Sequence, residues 1–313
     1  MLPELHCPFP VRTSPHVEDA EQFLHAVLDR VGADTRLSTI GMGTLAGLAY
    51  PATGPAELRI AVLWFAFFWL FDEAWADRLP LHTAGNLGRI HGRVAAVLHG
   101  DQPTTADHPS VRTLGVLREA IRSVRPGWDA SAFNHEVLRY VHSTLWEIDL
   151  RSRGTVPSLS DYLRMRPLIA ACPPSRELNF LICDLRLNPE LRTHPLVELV
   201  DAVAGNYSCW VNDICSLGTE RRDPANLVVV AQHEFGWPEH QAIQWAAKLA
   251  TSELATFQEL RRTLPGMLSS HMALADRQLA ELERYLSHYE GWFVASALWM
   301  PATTKYRTSE VPA

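Results

Sequence analysis

The feature that most constrains the fold of this chain is a helical spacing of apolar residues that recurs along almost all of its 313 residues. Alternation with period two is absent, as are Val/Ile/Thr-rich runs bounded by turns. Proline, glycine and Asp/Asn residues separate the periodic segments. We therefore predict an all-α protein, with helices at 17–31, 36–49, 55–76, 82–99, 109–125, 131–152, 158–171, 175–187, 193–218, 223–235, 238–263, 268–288 and 290–300.

The connections between these predicted helices are short. None is long enough or of low enough complexity to separate two domains, and no solenoid-like repeat is visible, so we expect one domain over residues 1–313. Segments 55–76 and 193–218 are apolar around most of the helix circumference, which is typical of helices at the centre of a bundle. Polar side chains within these two segments need partners, because burying an unpaired carboxylate is costly.

Charge and composition exclude several classes of protein. The formal net charge is -7, without the basic stripe that nucleic-acid binding needs, so local cations or metal ions must hold any anionic substrate. The five cysteines form no CxxC pair, which argues against a disulfide framework or a zinc site and favours a reducing compartment. The first residues lack the pattern of a signal peptide, and the longest apolar run, Ile60–Phe71, is too short to span a bilayer. We expect a cytoplasmic protein without a membrane span.

Three carboxylates follow the most apolar stretch of the sequence. Asp72, Glu73 and Asp77 lie within two helical turns, directly after LWFAFFWLF. An acidic, oxygen-rich site of this kind suits Mg²⁺, especially when phosphate oxygens complete its octahedral shell. A solvated helix end, partly neutralised by Arg78, is the alternative, and this cluster taken alone favours that alternative.

A second polar group interrupts the other apolar helix. Asn212, Ser216 and Glu220 are spaced four residues apart, so they project from one helix face. An amide oxygen, a hydroxyl and a carboxylate in this arrangement can chelate one divalent cation without thiol or imidazole. A helix N-cap is the alternative, but the group lies late in a long helix, where no N-cap is needed. The spacing predicts a metal site.

Both polar groups resemble the metal motifs of microbial class I terpene synthases. The segment Asn212–Glu220 reads N-D-x-x-S-x-x-x-E and is similar to the NSE motif of that family, and Asp72–Asp77 reads D-E-x-x-x-D and resembles its aspartate-rich motif. The family places a diphosphate-sensing arginine 46 residues before the NSE asparagine, and Arg166 stands at that distance from Asn212. It also ends with an Arg-Tyr pair after a tryptophan, and here Lys305-Tyr306 follows Trp299.

The chain departs from the family pattern at three positions. Glu73 replaces the second aspartate, which makes Asp72 the safer ligand, and Lys305 offers diphosphate a point charge where arginine offers a bidentate fork. Family members often carry a glycine four residues after the sensor arginine, whose carbonyl takes part in ionisation, and this chain has Ala170 there. We expect the helix break at this point to come from Pro173-Pro174.

The resemblance implies the class I terpenoid synthase bundle around a central apolar cavity, and a Mg²⁺-dependent cyclisation of an isoprenyl diphosphate. It implies three Mg²⁺ ions and a diphosphate bound at one end of that cavity. The metal ligands would be Asp72, Asn212, Ser216 and Glu220, with Glu73 and Asp77 less firmly assigned; the diphosphate would be held by Arg166, Lys305 and Tyr306; the catalytic set would be Asp72, Arg166, Asn212 and Glu220.

The carbocation formed by loss of diphosphate requires a dry pocket, where aromatic faces can stabilise it without reacting. Phe65, Phe68 and Trp69 share the helix face of Asp72, so we expect them to line the pocket, together with Ala170 and Trp299. Ordinary core packing is the alternative for each. Small residues on the segments expected near the pocket favour C20 geranylgeranyl diphosphate over C15 farnesyl diphosphate as the substrate; they are Ala170, Ala171, Cys172, Gly205, Ser208 and Cys209.

Other functions remain open at this point. A prenyl-chain-elongating synthase would share the fold but should carry two aspartate-rich motifs, and a squalene- or phytoene-type synthase should carry two DxxxD motifs. A helical protein that binds a terpenoid or an isoprenyl diphosphate without catalysis is the alternative of a different class, since Glu73 and Lys305 depart from the family. The oligomeric state is also open, with a homodimer as one outcome.

Overall fold

The computed structural model describes residues 5–34, 37, 39–75, 84–220 and 223–306. Over these ranges every regular element is a helix, which confirms the all-α prediction. In chain order the helices are α1 Val17–Arg30, α2 Met42–Ala49, α3 Pro55–Trp75, α4 Ala84–Leu98, α5 Pro109–Val124, α6 Ser131–Arg153, α7 Leu159–Ile169, α8 Cys172–Ile182, α9 Pro189–Arg192, α10 Pro195–Glu220, α11 Leu227–Phe235, α12 Glu239–Met272 and α13 Asp276–Ala302, followed by a 3₁₀ turn at Thr304–Tyr306.

The predicted helix boundaries were wrong at several places, and the short helix α9 was not predicted. Helix α2 begins only at Met42, because Gly41 adopts a left-handed φ of 80° directly before it. Helix α12 continues through Pro265, where a break was predicted, and ends only at the left-handed Ala273, with a φ of 48°. Buried Leu264 and Leu268 hold the helix in place on either side of that proline. Helix α13 is continuous where two helices were predicted.

The corner between α7 and α8 also differs from the prediction. The chain turns at Ala170 and Ala171, and Ala171 has a left-handed φ of 55° that is unusual for a residue other than glycine. Pro173 and Pro174 do not make this break. They lie in the first turn of α8, where a missing N–H leaves no helical hydrogen bond unmade.

Helices α3 and α10 occupy the centre of the bundle, as their apolar circumference predicts. Helix α3 packs against α5, α1, α2 and α8, while α10 packs against α12, α13 and α11. Ten consecutive residues of α3, Ile60–Trp69, are all buried except Phe68. Helix α13 closes against α2 at Gly291, where an added Cβ would lie 2.6 Å from the carbonyl oxygen of Ala49, so only glycine permits that approach.

Buried apolar side chains form two clusters, one built mainly from α1–α6 and the other mainly from α7–α13. Trp292, Met300 and Tyr306 pack against both clusters, and the cavity described below lies where the clusters meet. The assignment of the whole chain to one domain stays a prediction. None of the described helices combines the length and apolar character needed to cross a bilayer.

Candidate active site

A cavity of about 320 Å³ opens between the central helices. Side chains from α3, α6, α7, α8, α10 and α13 line it, together with the 3₁₀ turn at the end of α13. One end is crowded with ionisable groups, and we call it the charged end. The opposite part is walled largely by rings, and we call it the aromatic wall. The residues of the charged end are Asp72, Glu147, Arg151, Arg166, Asn212, Asp213, Glu220, Asp223, Lys305 and Tyr306.

The last three turns of α10 present the predicted polar face to the charged end. Asn212 and Glu220 line the cavity itself. Ser216 lies between them, fully buried, and its Oγ donates a hydrogen bond to Glu220 Oε2 at 2.5 Å. Burial raises the pKa of Glu220 to about 7, an effect that Ser216 partly opposes. Glu220 is therefore a carboxylate that a nearby cation would stabilise.

Arg166 reaches from α7 to the same face of α10. Its Nη2 donates to Asn212 Oδ1 at 2.8 Å and to Asp213 Oδ1 at 2.6 Å, and its Nε donates to Asp213 Oδ1 at 2.9 Å. Burial alone would lower the pKa of Arg166, but the charge of Asp213 raises it well above its ordinary value. The guanidinium is thus held as a permanent cation beside Asn212.

Asp213, which follows Asn212 in the motif, has both of its carboxylate oxygens engaged by protein donors. Its carboxylate accepts hydrogen bonds from Arg166, from the hydroxyl of Tyr162 and, at 2.7 Å, from the backbone N–H of Leu227, the first residue of α11. Only 1% of its surface is exposed. All these partners leave little capacity for a metal ion, so Asp213 positions Arg166 and the start of α11.

Helix α6 supplies residues that the sequence analysis missed. Glu147 is 6% exposed, and its Oε2 has no hydrogen-bond partner among the residues that the structure describes. Burial raises its pKa well above the usual value, and the charges of Asp72 and Asp223 raise it further. Arg151, one turn later, binds Asp223 Oδ2 at 2.7 Å. A charged i, i+4 pair within the apolar part of α6 was the only sequence signal for this side of the site.

The donor chemistry at the charged end fits Mg²⁺. Carboxylates of Asp72, Glu147 and Glu220 line one pocket with the amide of Asn212, and hard cations prefer such oxygen ligands. No three His, Cys, Asp or Glu side chains converge on one metal position within the described part of the chain, so amide, hydroxyl or substrate oxygens must complete the coordination. Burial is the main cause of the raised pKa values of Glu147 and Glu220, and a cation bound between them would favour their charged forms.

Two further acidic residues, Glu73 and Asp77, were candidates for the metal site. Glu73 does not line the cavity. Asp77 lies outside the described residues.

The 3₁₀ turn after α13 brings the last two predicted residues to the charged end. The hydroxyl of Tyr306 accepts a hydrogen bond from Asn212 Nδ2 at 2.6 Å. The ammonium of Lys305 lies 4.8 Å from the ring centroid of Trp69, a cation–π contact that connects the charged end to the aromatic wall. Burial raises the pKa of Tyr306 far above its ordinary value, so its hydroxyl stays protonated.

The end of α13 is fastened to the connection between α1 and α2. The indole N–H of Trp299 donates to the carbonyl of Gly41 at 2.7 Å, and the Thr303 hydroxyl donates to the carbonyl of Ile40 at 2.9 Å. Thr303 directly precedes the 3₁₀ turn that carries Lys305. These two hydrogen bonds fix the direction in which the turn leaves the helix.

Aromatic rings from α3 and α13 build the aromatic wall. Trp69 stacks on Trp299 with centroids 5.5 Å apart, and Phe68 lies 4.9 Å from Trp69. Phe65 meets Trp292 edge-on at 5.9 Å. The structure places all five predicted pocket residues in the cavity lining: Phe65, Phe68, Trp69, Ala170 and Trp299. Trp292 was missed, because a single tryptophan in a long apolar helix carries no signal that separates lining from core.

Residues 63–256 match the family model described as terpene synthase family 2, C-terminal metal binding. A (+)-T-muurolol synthase of Roseiflexus castenholzii, named as cyclising (2E,6E)-farnesyl diphosphate, is 28% identical over 306 residues, which cover 96% of this chain and 92% of the relative. Germacrene A synthase of Nostoc punctiforme is 25% identical over 328 residues, covering 99% and 96%.

Solved structures agree in fold. Germacradien-4-ol synthase from Streptomyces citricolor superposes with a TM-score of 0.85 at 23% identity, covering 97% of this chain and 100% of that one. Hedycaryol synthase, solved in complex with nerolidol, gives a TM-score of 0.79 at 21% identity, covering 96% and 99%.

The architecture is therefore that of the class I terpene synthases, all-α enzymes that are lyases acting on diphosphates. Since the family model spans more than half of its length, the chain belongs to the terpene synthase family with the C-terminal metal-binding region. The resemblance drawn from the two polar motifs is confirmed.

Proposed function

We propose that this protein is a Mg²⁺-dependent sesquiterpene cyclase that ionises farnesyl diphosphate and cyclises the resulting carbocation. One observation carries the proposal: a single cavity joins the charged end, with Arg166 against the Asn212–Glu220 face, to a wall of aromatic rings. Such a cavity can hold a leaving anion at one end and shelter a cation at the other.

The residues of the charged end divide into two roles under this proposal. Asp72, Asn212, Ser216 and Glu220 would bind Mg²⁺, three ions in all by family resemblance. The metal supplies positive charge that neutralises the departing diphosphate. Arg166, Lys305 and Tyr306 would hold the diphosphate itself, because these cationic and hydroxyl donors line the same cavity.

The hydrogen bond between Arg166 and Asn212 also affects how the diphosphate and the metal would bind. The guanidinium now donates to Asn212 Oδ1, the oxygen that a metal ion would need. Diphosphate oxygens that accept hydrogen bonds from Arg166 would draw it away from Asn212 and release that oxygen. Asp213 keeps the guanidinium charged and near the corner at Ala170 throughout this exchange.

The aromatic wall supplies stabilisation without a nucleophile. Phe65, Phe68, Trp69, Trp292 and Trp299 present ring faces or edges to the cavity, and cation–π attraction to such rings amounts to ~0.5–2 kcal/mol per contact. Trp69 and Trp299 stack on each other within this wall.

For the substrate length we propose C15. The name of the Roseiflexus relative specifies farnesyl diphosphate, and further relatives are named as sesquiterpene synthases. The preference for geranylgeranyl diphosphate, based on small lining residues, finds no support among them. A cavity of about 320 Å³ lies near the lower limit of the range usual for ligand sites, which also favours the shorter substrate.

The test is incubation of the purified protein with C10, C15, C20 and C25 isoprenyl diphosphates, with and without Mg²⁺, followed by gas chromatography–mass spectrometry and by assay of released diphosphate. A cyclic C15 product that needs Mg²⁺ and disappears in Glu220→Gln supports the proposal. A C20 product would correct the substrate. A longer linear diphosphate would indicate chain elongation, and binding of C15 diphosphate without turnover would indicate the non-catalytic alternative.

A further inference from the structure

Two thiols face each other in the lining of the cavity. Cys172 is the first residue of α8, and Cys209 lies on α10, three residues before Asn212. Their sulfur atoms are 3.8 Å apart, and both side chains line the cavity. Neither thiol has a part in the proposed reaction.

The backbone around the pair is shaped to allow this approach. Gly205 lies one helical turn before Cys209, and a Cβ added there would come within 3.4 Å of the Cys172 sulfur and 3.5 Å of its Cβ. The left-handed Ala171 aims the first turn of α8 at this gap. Cys172 therefore packs directly over Gly205, at ordinary van der Waals distance from the position of such a Cβ.

The pair also differs from the other cysteines in its chemistry. The hydrogen bond from Cys209 lowers the pKa of Cys172 despite burial, and the charge of Arg166 adds to this effect. Burial raises the pKa of Cys7, and raises that of Cys183 and of Cys215 to about 12 each. Cys172 is therefore the thiol that most readily becomes the nucleophilic thiolate.

We propose that Cys172 and Cys209 form a redox-active dithiol site, which accepts small uncharged disulfides through the cavity and closes to an intramolecular disulfide that stops turnover. The Cys172 thiolate attacks one sulfur of the small disulfide, breaking its S–S bond and releasing one thiol, which takes up the proton. Cys209 then loses its proton and attacks the Cys172 sulfur, releasing the second thiol. Two protein thiols are oxidised and one disulfide is reduced to two thiols.

Closing the bond changes the geometry of the site. The sulfurs must move from 3.8 Å to about 2.05 Å, which draws the start of α8 towards α10. The corner at Ala170 and Ala171 lies directly before Cys172, and Arg166 lies in the last turn of α7 on the other side of that corner. Displacement of a positioning residue by about 1 Å can lower a rate by about 10²-fold. This consequence rests on the proposed function.

The experiment treats the reduced, full-length protein with bis(2-hydroxyethyl) disulfide and follows intact mass, an alkylated peptide map and turnover. We expect loss of two hydrogen atoms, a peptide pair linked through Cys172 and Cys209, and turnover lowered about ten- to hundredfold and restored by dithiothreitol. Cys7→Ser, a control outside the pair, should behave like the wild type. Cys172→Ser and Cys209→Ser should form no such link and should keep their turnover under the same treatment.

Two results would overturn the proposal: stable hydroxyethylthio adducts without the internal link, or a link that leaves turnover unchanged. The mass readout does not depend on activity. If the reduced protein lacks turnover with every diphosphate while the link still forms, the proposed function fails and the dithiol site stands. If turnover is present and no link forms, the dithiol site fails alone.

Discussion

The two parts of the cavity are stabilised in different ways. At the charged end, the side chains are held by individual hydrogen bonds. Arg166 donates to Asn212 and Asp213, and Ser216 donates to Glu220. At the aromatic wall, rings touch rings at 5–6 Å, and no contact depends on one donor or acceptor. Changes at the charged end should therefore affect rate and binding, and changes at the wall should affect the shape of the product.

The largest effect is expected from Asn212→Ala. It removes the amide that contacts both Arg166 and Tyr306, so turnover should fall at least about 10²–10³-fold, as when one preorganised polar group is lost. Steady-state kinetics and circular dichroism measure rate and fold together. Thr219→Ala, an exposed position on the same helix, is the control and should keep its rate. Retained activity in Asn212→Ala would show that turnover does not depend on the side-chain amide of Asn212.

A second comparison uses two ion pairs of the cavity lining, Arg166 with Asp213 and Arg176 with Asp201. Asp213→Asn leaves Arg166 with an uncompensated charge, and Asp201→Asn does the same to Arg176, which binds Asp201 at 2.5 Å. Each variant should lose about 3–5 kcal/mol of unfolding free energy. Only Asp213→Asn should also raise KM for the diphosphate substrate. Denaturant titration and kinetics on both variants test this, and an equal rise in KM would mean that the two ion pairs share one role.

The contributions of the two parts to the unfolding free energy should also depend on pH in opposite directions. His288, stacked on Tyr50 behind the aromatic wall, has its pKa lowered from 6.5 to about 3 by burial. The folded state therefore binds fewer protons than the unfolded state in that window, and stability is lost as pH falls from about 6.5 to 3, by at most ~1.4 kcal/mol per pH unit. Glu220, with its pKa raised to about 7, contributes a loss as pH rises towards 7.

Unfolding free energies measured by denaturant between about pH 4 and pH 6.5 check the histidine effect. His288→Asn should show a smaller decline towards low pH than the wild type. Parallel curves for the two proteins would mean that the ring of His288 is charged, or solvated, in the folded state.

The smallest change in rate is expected at the aromatic wall. Phe68 lines the cavity, whereas its neighbour Phe67 is fully buried against Trp64 and Phe71. Phe68→Ala should alter the product distribution with turnover within about tenfold of the wild type, while Phe67→Ala should lose about 3–5 kcal/mol of stability and keep the product profile. Product analysis and thermal unfolding separate the two. A changed profile in both variants would indicate that the whole of α3 shifts.

Sequence reasoning found those parts of the site that follow from spacing along one helix. Asn212, Ser216 and Glu220 share a face because four residues make about one turn, and Phe65 and Phe68 were placed beside Asp72 in the same way. Arg166 was assigned to the site only through the resemblance to the family. Glu147 was missed, since its role depends on how α6 packs beside α3, which no local pattern encodes.

Backbone conformation set a second limit on prediction. The left-handed turns at Ala171 and Ala273 are made by alanines, which carry no sequence mark of a break. Pro173 and Pro174 lie in the first turn of α8 and not at the corner before it, and α12 continues through Pro265. Tertiary packing decided each of these positions. Periodicity predicts which segments form helices, but it does not predict where the chain turns between them.

The hydrogen bonds from Trp299 to Gly41 and from Thr303 to Ile40 have a consequence for protein engineering. They join two stretches whose partners are 258 and 263 residues apart in the sequence, so a chimera that takes α1 and α2 from one relative and α13 from another separates the two halves of each hydrogen bond. Such a hybrid can fold and still misdirect the turn that carries Lys305. Exchanges between relatives should therefore move the segment around Gly41 and the C-terminal segment as a unit.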